Sequence, residues 1–335
     1  MRKQSLIAVV SVAALLAGAL DAHAAPIALE GFKASPHFDE QVLDFAFDPG
    51  VTVHVNAPAA TAIDSSRPTR LVIYALPNGN TIAQTIGKRL KEGDDWHFDI
   101  QHIGAQIRRL REIVTDADIV VAYVEVDGRS WPRWRQNHEN PGRLVQQLIN
   151  DIRERLGDLR PSIELASHSG GGAMIFALLD EFDQIPADIQ RIVFIDSDYS
   201  YSDEKHHGEK LLAWLQADPS HHLCVMAYDD RNIELNGKKI IGPAGGTWRR
   251  THDMIARLGK DIELTESHTD SIIRHRGMNG QVDILLHENP DNKILHTVLV
   301  EKNGLIHALT TGTKWEDCAG KFFTDRAYGE WIRSE

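Results

Sequence analysis

Ser162-Ile163-Glu164-Leu165-Ala166-Ser167-His168-Ser169-Gly170-Gly171-Gly172-Ala173-Met174-Ile175-Phe176-Ala177-Leu178-Leu179 is the stretch on which the reading of this chain turns. Its first five residues form a strand-like run, and Ala173 to Leu179 is apolar and helix-like. Between them lies a Ser-His-Ser-Gly-Gly-Gly turn. A strand, a tight turn carrying a serine and a helix make up a nucleophile elbow, in which the serine takes a strained backbone conformation and projects its hydroxyl outward. The residues two positions either side must be small, because other backbone passes too close for a larger Cβ. Ser167 and Gly171 occupy them, and Ser167 departs from the usual glycine. The competing reading is a glycine-rich helix start whose Ser169 only caps backbone N–H groups.

Outward from the elbow, the pattern alternates. Val42 to Phe47 and Val51 to Asn56 flank Asp48-Pro49-Gly50 and predict an antiparallel hairpin. Ala57 to Ser66 reads as a surface loop. Arg70 to Ala75, Asp118 to Val126, Ser162 to Ala166, Arg191 to Ile195 and His222 to Tyr228 are short apolar strands. Between and after them, helices are expected over 100–114, 143–156, 173–182, 210–216 and 247–258. Continuous apolar strands separated by helices imply a mostly parallel sheet covered on both faces. From Ile262 the chain becomes strand-rich, with strands expected over 262–265, 272–275, 282–286 and 294–300. An Asn303-Gly304 turn leads into Leu305 to Ala308, and a closing helix spans 315–332.

A hairpin leading into such a sheet, with the serine after the third parallel strand, resembles the α/β-hydrolase fold over nearly the whole chain after the leader. The expected architecture is α/β, with a strand-rich insertion before the last strand. In that fold the order is serine, acid, histidine. The resemblance places the acid at the end of the strand ending in Tyr228, as Asp229 or Asp230, with Asp196 and Asp198 after the preceding strand as alternatives. It places the histidine after the last strand, at His307, with His296 as the rival among 17 histidines. The oxyanion hole calls for the Gly170 N–H and a second donor from Pro77-Asn78-Gly79-Asn80, either Asn78 or Gly79.

Trp131, Arg133 and Trp134 lie in the run Arg129 to Arg135, expected to be a loop at the same sheet edge as Ser169. They are candidates for holding an anionic or extended substrate. Exported hydrolases of this size include esterases, polyester depolymerases and poly(aspartic acid) hydrolases. The substrate is therefore expected to be a small molecule or a polymer. A non-catalytic binding protein on the same scaffold is the alternative.

The first 24 residues read as a signal peptide. Arg2 and Lys3 precede an apolar run from Leu6 to Leu20, and Ala22-His23-Ala24 forms a cleavage signal. Residues 25–335 are then one exported domain, periplasmic or secreted. A formal net charge of −12 argues against nucleic acid and anionic membrane surfaces as partners. No cofactor or metal is called for, since His287-Glu288 is not followed by the spacing of a zinc-binding helix. Cys224 and Cys318 could bridge in an oxidising compartment, or Cys224 could simply be packed in its strand.

Overall fold

The computed structural model describes residues 26–334; the expected leader lies outside the described residues. The strands are β1 (Lys33–Ala34), β2 (Glu40–Phe47), β3 (Val51–Pro58), β4 (Thr69–Ala75), β5 (Asp118–Val126), β6 (Ser162–His168), β7 (Ile189–Ile195), β8 (His222–Tyr228), β9 (Glu234–Leu235), β10 (Lys238–Lys239), β11 (Leu264–Thr269), β12 (Ile272–Gly277) and β13 (Val282–His287). The helices are α1 (Ile82–Ile86), α2 (Ile103–Ile113), α3 (Trp131–Asn137), α4 (Pro141–Glu154), α5 (Gly172–Glu181), α6 (His207–Ala217), α7 (Thr247–Leu258), α8 (Val298–Glu301) and α9 (Gly304–Thr310).

Eleven strands form one sheet in the order β1-β2-β3-β5-β4-β6-β7-β8-β13-β12-β11. The six from β5 to β13 run parallel, and antiparallel strands extend both edges. This is an α/β-hydrolase fold, as the alternation of elements implies. The β11–β12 hairpin is the expected insertion before the last parallel strand, β13.

Alternation along each strand divides the core in two. Leu71, Ile73 and Ala75 of β4 pack with residues of α4, α5, α6 and α7, whereas Val72 and Tyr74 pack with α2 and α9. Helix α5 is apolar nearly all round, with Ala173 to Leu179 buried, as a helix enclosed on every side must be.

The last third differs from the expectation in ways that move the site. Residues 294–300 form no strand: the chain leaves β13 at His287, runs as a loop and enters α8. Asn303, at φ 63°, starts helix α9 rather than a hairpin turn, so Leu305 to Ala308 are helical. Residues 315–332 are turns with one short 3-10 segment instead of a helix. Short apolar runs suit a buried strand and a buried helix equally well, and here packing against α2 selects the helix. Cys224 is buried in β8, Cys318 is exposed, and both are free thiols.

Candidate active site

Ser169 follows β6 directly and has φ +55°. A left-handed backbone at a residue with a Cβ is costly and persists only where its surroundings enforce it. They do so here by close approach. A Cβ on Gly171 would lie 2.2 Å from the Ala75 carbonyl oxygen, and one on Gly172 would lie 1.8 Å from that of Ser197. At the other flank, Ser167 is fully buried, and its hydroxyl meets the Ser197 hydroxyl at 2.8 Å. The Ser197 hydroxyl also donates to the Ser167 carbonyl at 3.2 Å. The departure from glycine thus ties the elbow strand to the segment following β7.

Asp196 is the first residue of that segment, at φ 46° with a fully buried side chain. One carboxylate oxygen accepts from His296 Nδ1 and the other from the Thr247 hydroxyl at the start of α7. His296 sits in the loop after β13, and its ring packs on that of His168 with centroids 4.6 Å apart. His168 Nε2 donates to the His296 carbonyl at 3.0 Å; although that bond favours the protonated ring, burial and then the neighbouring His296 hold the imidazole well below its usual range. Asn289 braces the same loop. Its side-chain amide donates to the Asp229 and Lys293 carbonyls at 2.9 and 2.8 Å, and its oxygen accepts from the Lys293 N–H at 3.0 Å. The loop that carries His296 is thereby fixed to the residue after β8.

The expected acids behave differently. The Asp229 carboxylate pairs with Arg231 through two side-chain hydrogen bonds of 2.8 and 2.6 Å and has no hydrogen bond to a histidine ring among the described residues. Asp230 is buried and accepts the Thr247 N–H at 3.0 Å, capping α7, which has no cap from its own preceding residue. Gly246 is required there, since a Cβ would sit 2.4 Å from the Asp230 carboxylate. Burial, then the charge of Asp196, pushes Asp230 up to about 7; burial pushes Asp198, which accepts from Thr251 at 2.8 Å, up to about 8.

His307 is not brought to the serine. It is buried in α9, with Nε2 2.9 Å from Asp283 on β13. Asp283 pairs with Cys224 near the amino end of β8, and Ser169 stands beyond the carboxyl end of β6. Burial alone would raise Asp283, yet hydrogen bonds from His307 and Arg274 hold it well below the carboxylate range. The physical reason for the displacement is that β13 is the last strand, so the loop following it carries His296.

In the turn after β4, Pro77 has no N–H, Gly79 donates to the Arg129 carbonyl at 2.9 Å, and Asn80 donates to the Pro77 carbonyl at 3.4 Å. Gly79 is therefore engaged, and Asn78 keeps the one N–H of this turn without an acceptor among the described residues. The Asn78 side chain lies over Gly170, where a Cβ would approach it to 2.1 Å. A cavity of about 250 Å³ is lined by Asn78, Pro132, Ser169, Gly170, Ala173, Ser197, Tyr199 and Ser200. None of these carries a formal charge.

Trp131 and Trp134 do not line it. Both are buried on helix α3, with indole N–H groups donating to the Val124 and Pro49 carbonyls. Their i, i+3 spacing, the mark of one helical face, was the signal available in the sequence. Arg133 is exposed on the opposite side of α3, and Arg135 pairs with Asp180.

Cys224, Asp283 and His307 place possible ligand atoms within 4.8 Å of one another. Asp283 already accepts from Arg274, His307 and Thr311, and both Arg191 and Arg274 act on the thiol. Burial holds that thiol well above its usual value. A protonated thiol and a saturated carboxylate beside two guanidinium groups do not suit a cation.

No family model and no curated protein matches the chain. Among solved structures it is similar to a thermostable esterase, with a TM-score of 0.47 and 14% identity over 82% of this chain and 63% of that one. It is similar to poly(aspartic acid) hydrolase-1 from Sphingomonas sp. KT-1, with a TM-score of 0.42 and 15% identity over 66% and 85% of the two chains. It is also similar to the apo form of Thermogutta terrifontis esterase 2, with a TM-score of 0.41 and 11% identity over 82% and 95%. The chain spans 63% of the length of the thermostable esterase. These likenesses are of fold.

Proposed function

We propose that the protein is an exported serine hydrolase that cleaves an ester or amide through an acyl-enzyme on Ser169, with His296 as base and Asp196 as its orienting carboxylate. The observation that carries the proposal is the left-handed Ser169 at the end of a central strand, next to His168, whose ring packs on that of His296, itself held by the buried Asp196. A neutral serine hydroxyl is a weak nucleophile and needs an adjacent imidazole. With Asp196 accepting the Nδ1 proton, His296 keeps Nε2 as the basic nitrogen.

In the first step the Ser169 hydroxyl oxygen attacks the substrate carbonyl carbon and its proton passes to His296 Nε2. The Gly170 and Asn78 N–H groups receive the developing oxyanion. Collapse breaks the bond to the leaving alcohol or amine, which takes the proton from His296. Water then repeats the sequence on the acyl-enzyme, releasing the acid and regenerating the serine.

The uncharged lining of the cavity beside Ser169 favours a small, neutral acyl group over a polyanion. Arg133 is the exposed cation of α3 available to an extended or anionic substrate. The leader-like residues 1–24 are what supports export to a periplasm or the medium.

Labelling by a fluorophosphonate tests the reading. Wild-type protein should be labelled at one site and Ser169→Ala should not. An unlabelled wild type, or an S169A variant labelled like wild type, would sink it.

A further inference from the structure

The amino edge of the sheet carries a row of polar side chains that the proposed chemistry does not use. Glu164 of β6 pairs in register with Arg191 of β7, and Arg191 with His222 of β8. Residues paired in register share a face of the sheet, so the three side chains stand side by side. Arg70 of β4 joins them with two hydrogen bonds to Glu164, at 2.7 and 3.0 Å.

Arg191 is 3% exposed. Its Nη1 donates to the Ala308 and Thr311 carbonyls at 2.9 and 3.2 Å. Its Nε–H is buried with no hydrogen bond, and Glu164 Oε1, at 3.9 Å, is out of reach. A buried donor is ordinarily hydrogen-bonded, and this one is not, although the charge of Glu164 acts on it.

The local charge is also unbalanced, since Arg70 and Arg191 share the single carboxylate of Glu164. Asp283, which also acts on Arg191, is committed to Arg274, His307 and Thr311. Lys314 and Asp116 neutralise each other at 2.8 Å. His222 adds no negative charge. Burial and the nearby Arg191 hold it neutral, down at about 4. A cavity of about 430 Å³ opens on this row; Arg70, Arg191 and Lys314 line it together with the carboxylates of Glu164 and Asp116, and His222 stands beside them.

We propose that this cavity binds a small oxyanion, a carboxylate or a phosphate, on the unpartnered Arg191 Nε–H and the excess positive charge around it. Ser169 stands beyond the opposite, carboxyl edge, so the anion and the substrate of the proposed hydrolysis occupy separate sites.

Calorimetric titration with sodium phosphate and with sodium acetate, at ionic strength fixed by sodium chloride, tests the assignment. Saturable binding with a Kd on the order of millimolar or tighter is expected for at least one anion, equally in wild type and Ser169→Ala. Phosphate without acetate binding assigns the phosphoryl class, and the reverse assigns the carboxylate class. Arg191→Gln should weaken binding about tenfold or more, because a charge-assisted contact is lost. Lys314→Glu, at an exposed position on the cavity rim, should weaken it several-fold and decides the matter if R191Q does not fold. Heats no greater than those of chloride, or a Kd unchanged in these variants, would mean an adventitious ion only and overturn the proposal. Binding lost in S169A would place the anion at the catalytic serine and overturn it equally.

Discussion

Asp196→Asn separates the proposed triad from the arrangement that the sequence order favours. Asp196 is fully buried and serves two donors, the Thr247 hydroxyl and His296 Nδ1–H. An asparagine has one oxygen and one NH2 group to offer the same two neighbours. If its oxygen keeps the Thr247 bond, its NH2 faces His296 Nδ1, which must then accept. The imidazole proton moves to Nε2, and the nitrogen meant to deprotonate Ser169 is already protonated. A wrong tautomer of this kind costs about ten-thousand-fold in turnover, or about 5 kcal/mol of barrier. Should the Thr247 hydroxyl turn to accept from the amide, the tautomer survives and only the charged hydrogen bond is lost. That loss is about 1.5–3 kcal/mol, roughly ten- to a hundredfold. Both geometries require D196N to fall at least about tenfold in kcat/KM on a chromogenic ester and in its rate of fluorophosphonate labelling. Asp229→Asn and His307→Asn, which alter groups away from Ser169, should stay within about threefold once folded protein is matched by thermal melting. A D196N protein labelled at the wild-type rate would refute the assignment of Asp196.

Four further outcomes are expected. Gly170→Ala should cut kcat on the order of a hundredfold with little change in KM, because a Cβ meets the Asn78 side chain at 2.1 Å and displaces the oxyanion donors; steady-state kinetics measures the split. Trp131→Ala should destabilise the fold by about 3–5 kcal/mol in urea unfolding, as expected for a buried aromatic, and a change in substrate affinity alone would contradict its placement. Asp198 and Asp230, raised to about 8 and about 7 by burial, bind protons more tightly folded than unfolded. Their contribution to stability is therefore complete below about pH 4 and declines as pH rises toward 8, and Asp198→Asn should flatten that slope in melts taken across this window. Asp230→Asn should leave kcat/KM unchanged well below pH 7, where the Asp230 carboxyl is already neutral, and change it only above, where wild type carries a charge that the variant lacks; a pH–rate profile checks this.

The central sheet was legible because each parallel strand is a short, continuous apolar run bounded by helix-period residues. Asp118–Val126, His222–Tyr228 and Thr247–Leu258 have the bounds that their patterns imply. The elbow was legible because close backbone approach demands small residues at fixed offsets, and Gly171 meets that demand. The acid of the proposed triad was not, since Ile195-Asp196-Ser197-Asp198 and Tyr228-Asp229-Asp230 are equivalent as strings. What separates them is tertiary: the start of α7 bonds both Asp196 and Asp230, but only Asp196 is also met by the His296 ring. His307 was favoured only while residues 294–300 counted as a strand. Once β13 ends at His287, the loop that follows it carries His296.

The bracing of that loop by Asn289 has a thermal consequence. The proposed base stands on a segment without strand or helix, held to the scaffold by a few side-chain contacts: the Asn289 amide on the Asp229 carbonyl, His168 on the His296 carbonyl and Asp196 on the His296 ring. Its opening is a local event with its own free energy, smaller than that of unfolding an eleven-stranded sheet. Heating should therefore silence turnover reversibly at temperatures where far-ultraviolet circular dichroism still reports an intact fold. The working range of the protein would be set by the hold of this loop, not by the endurance of its core.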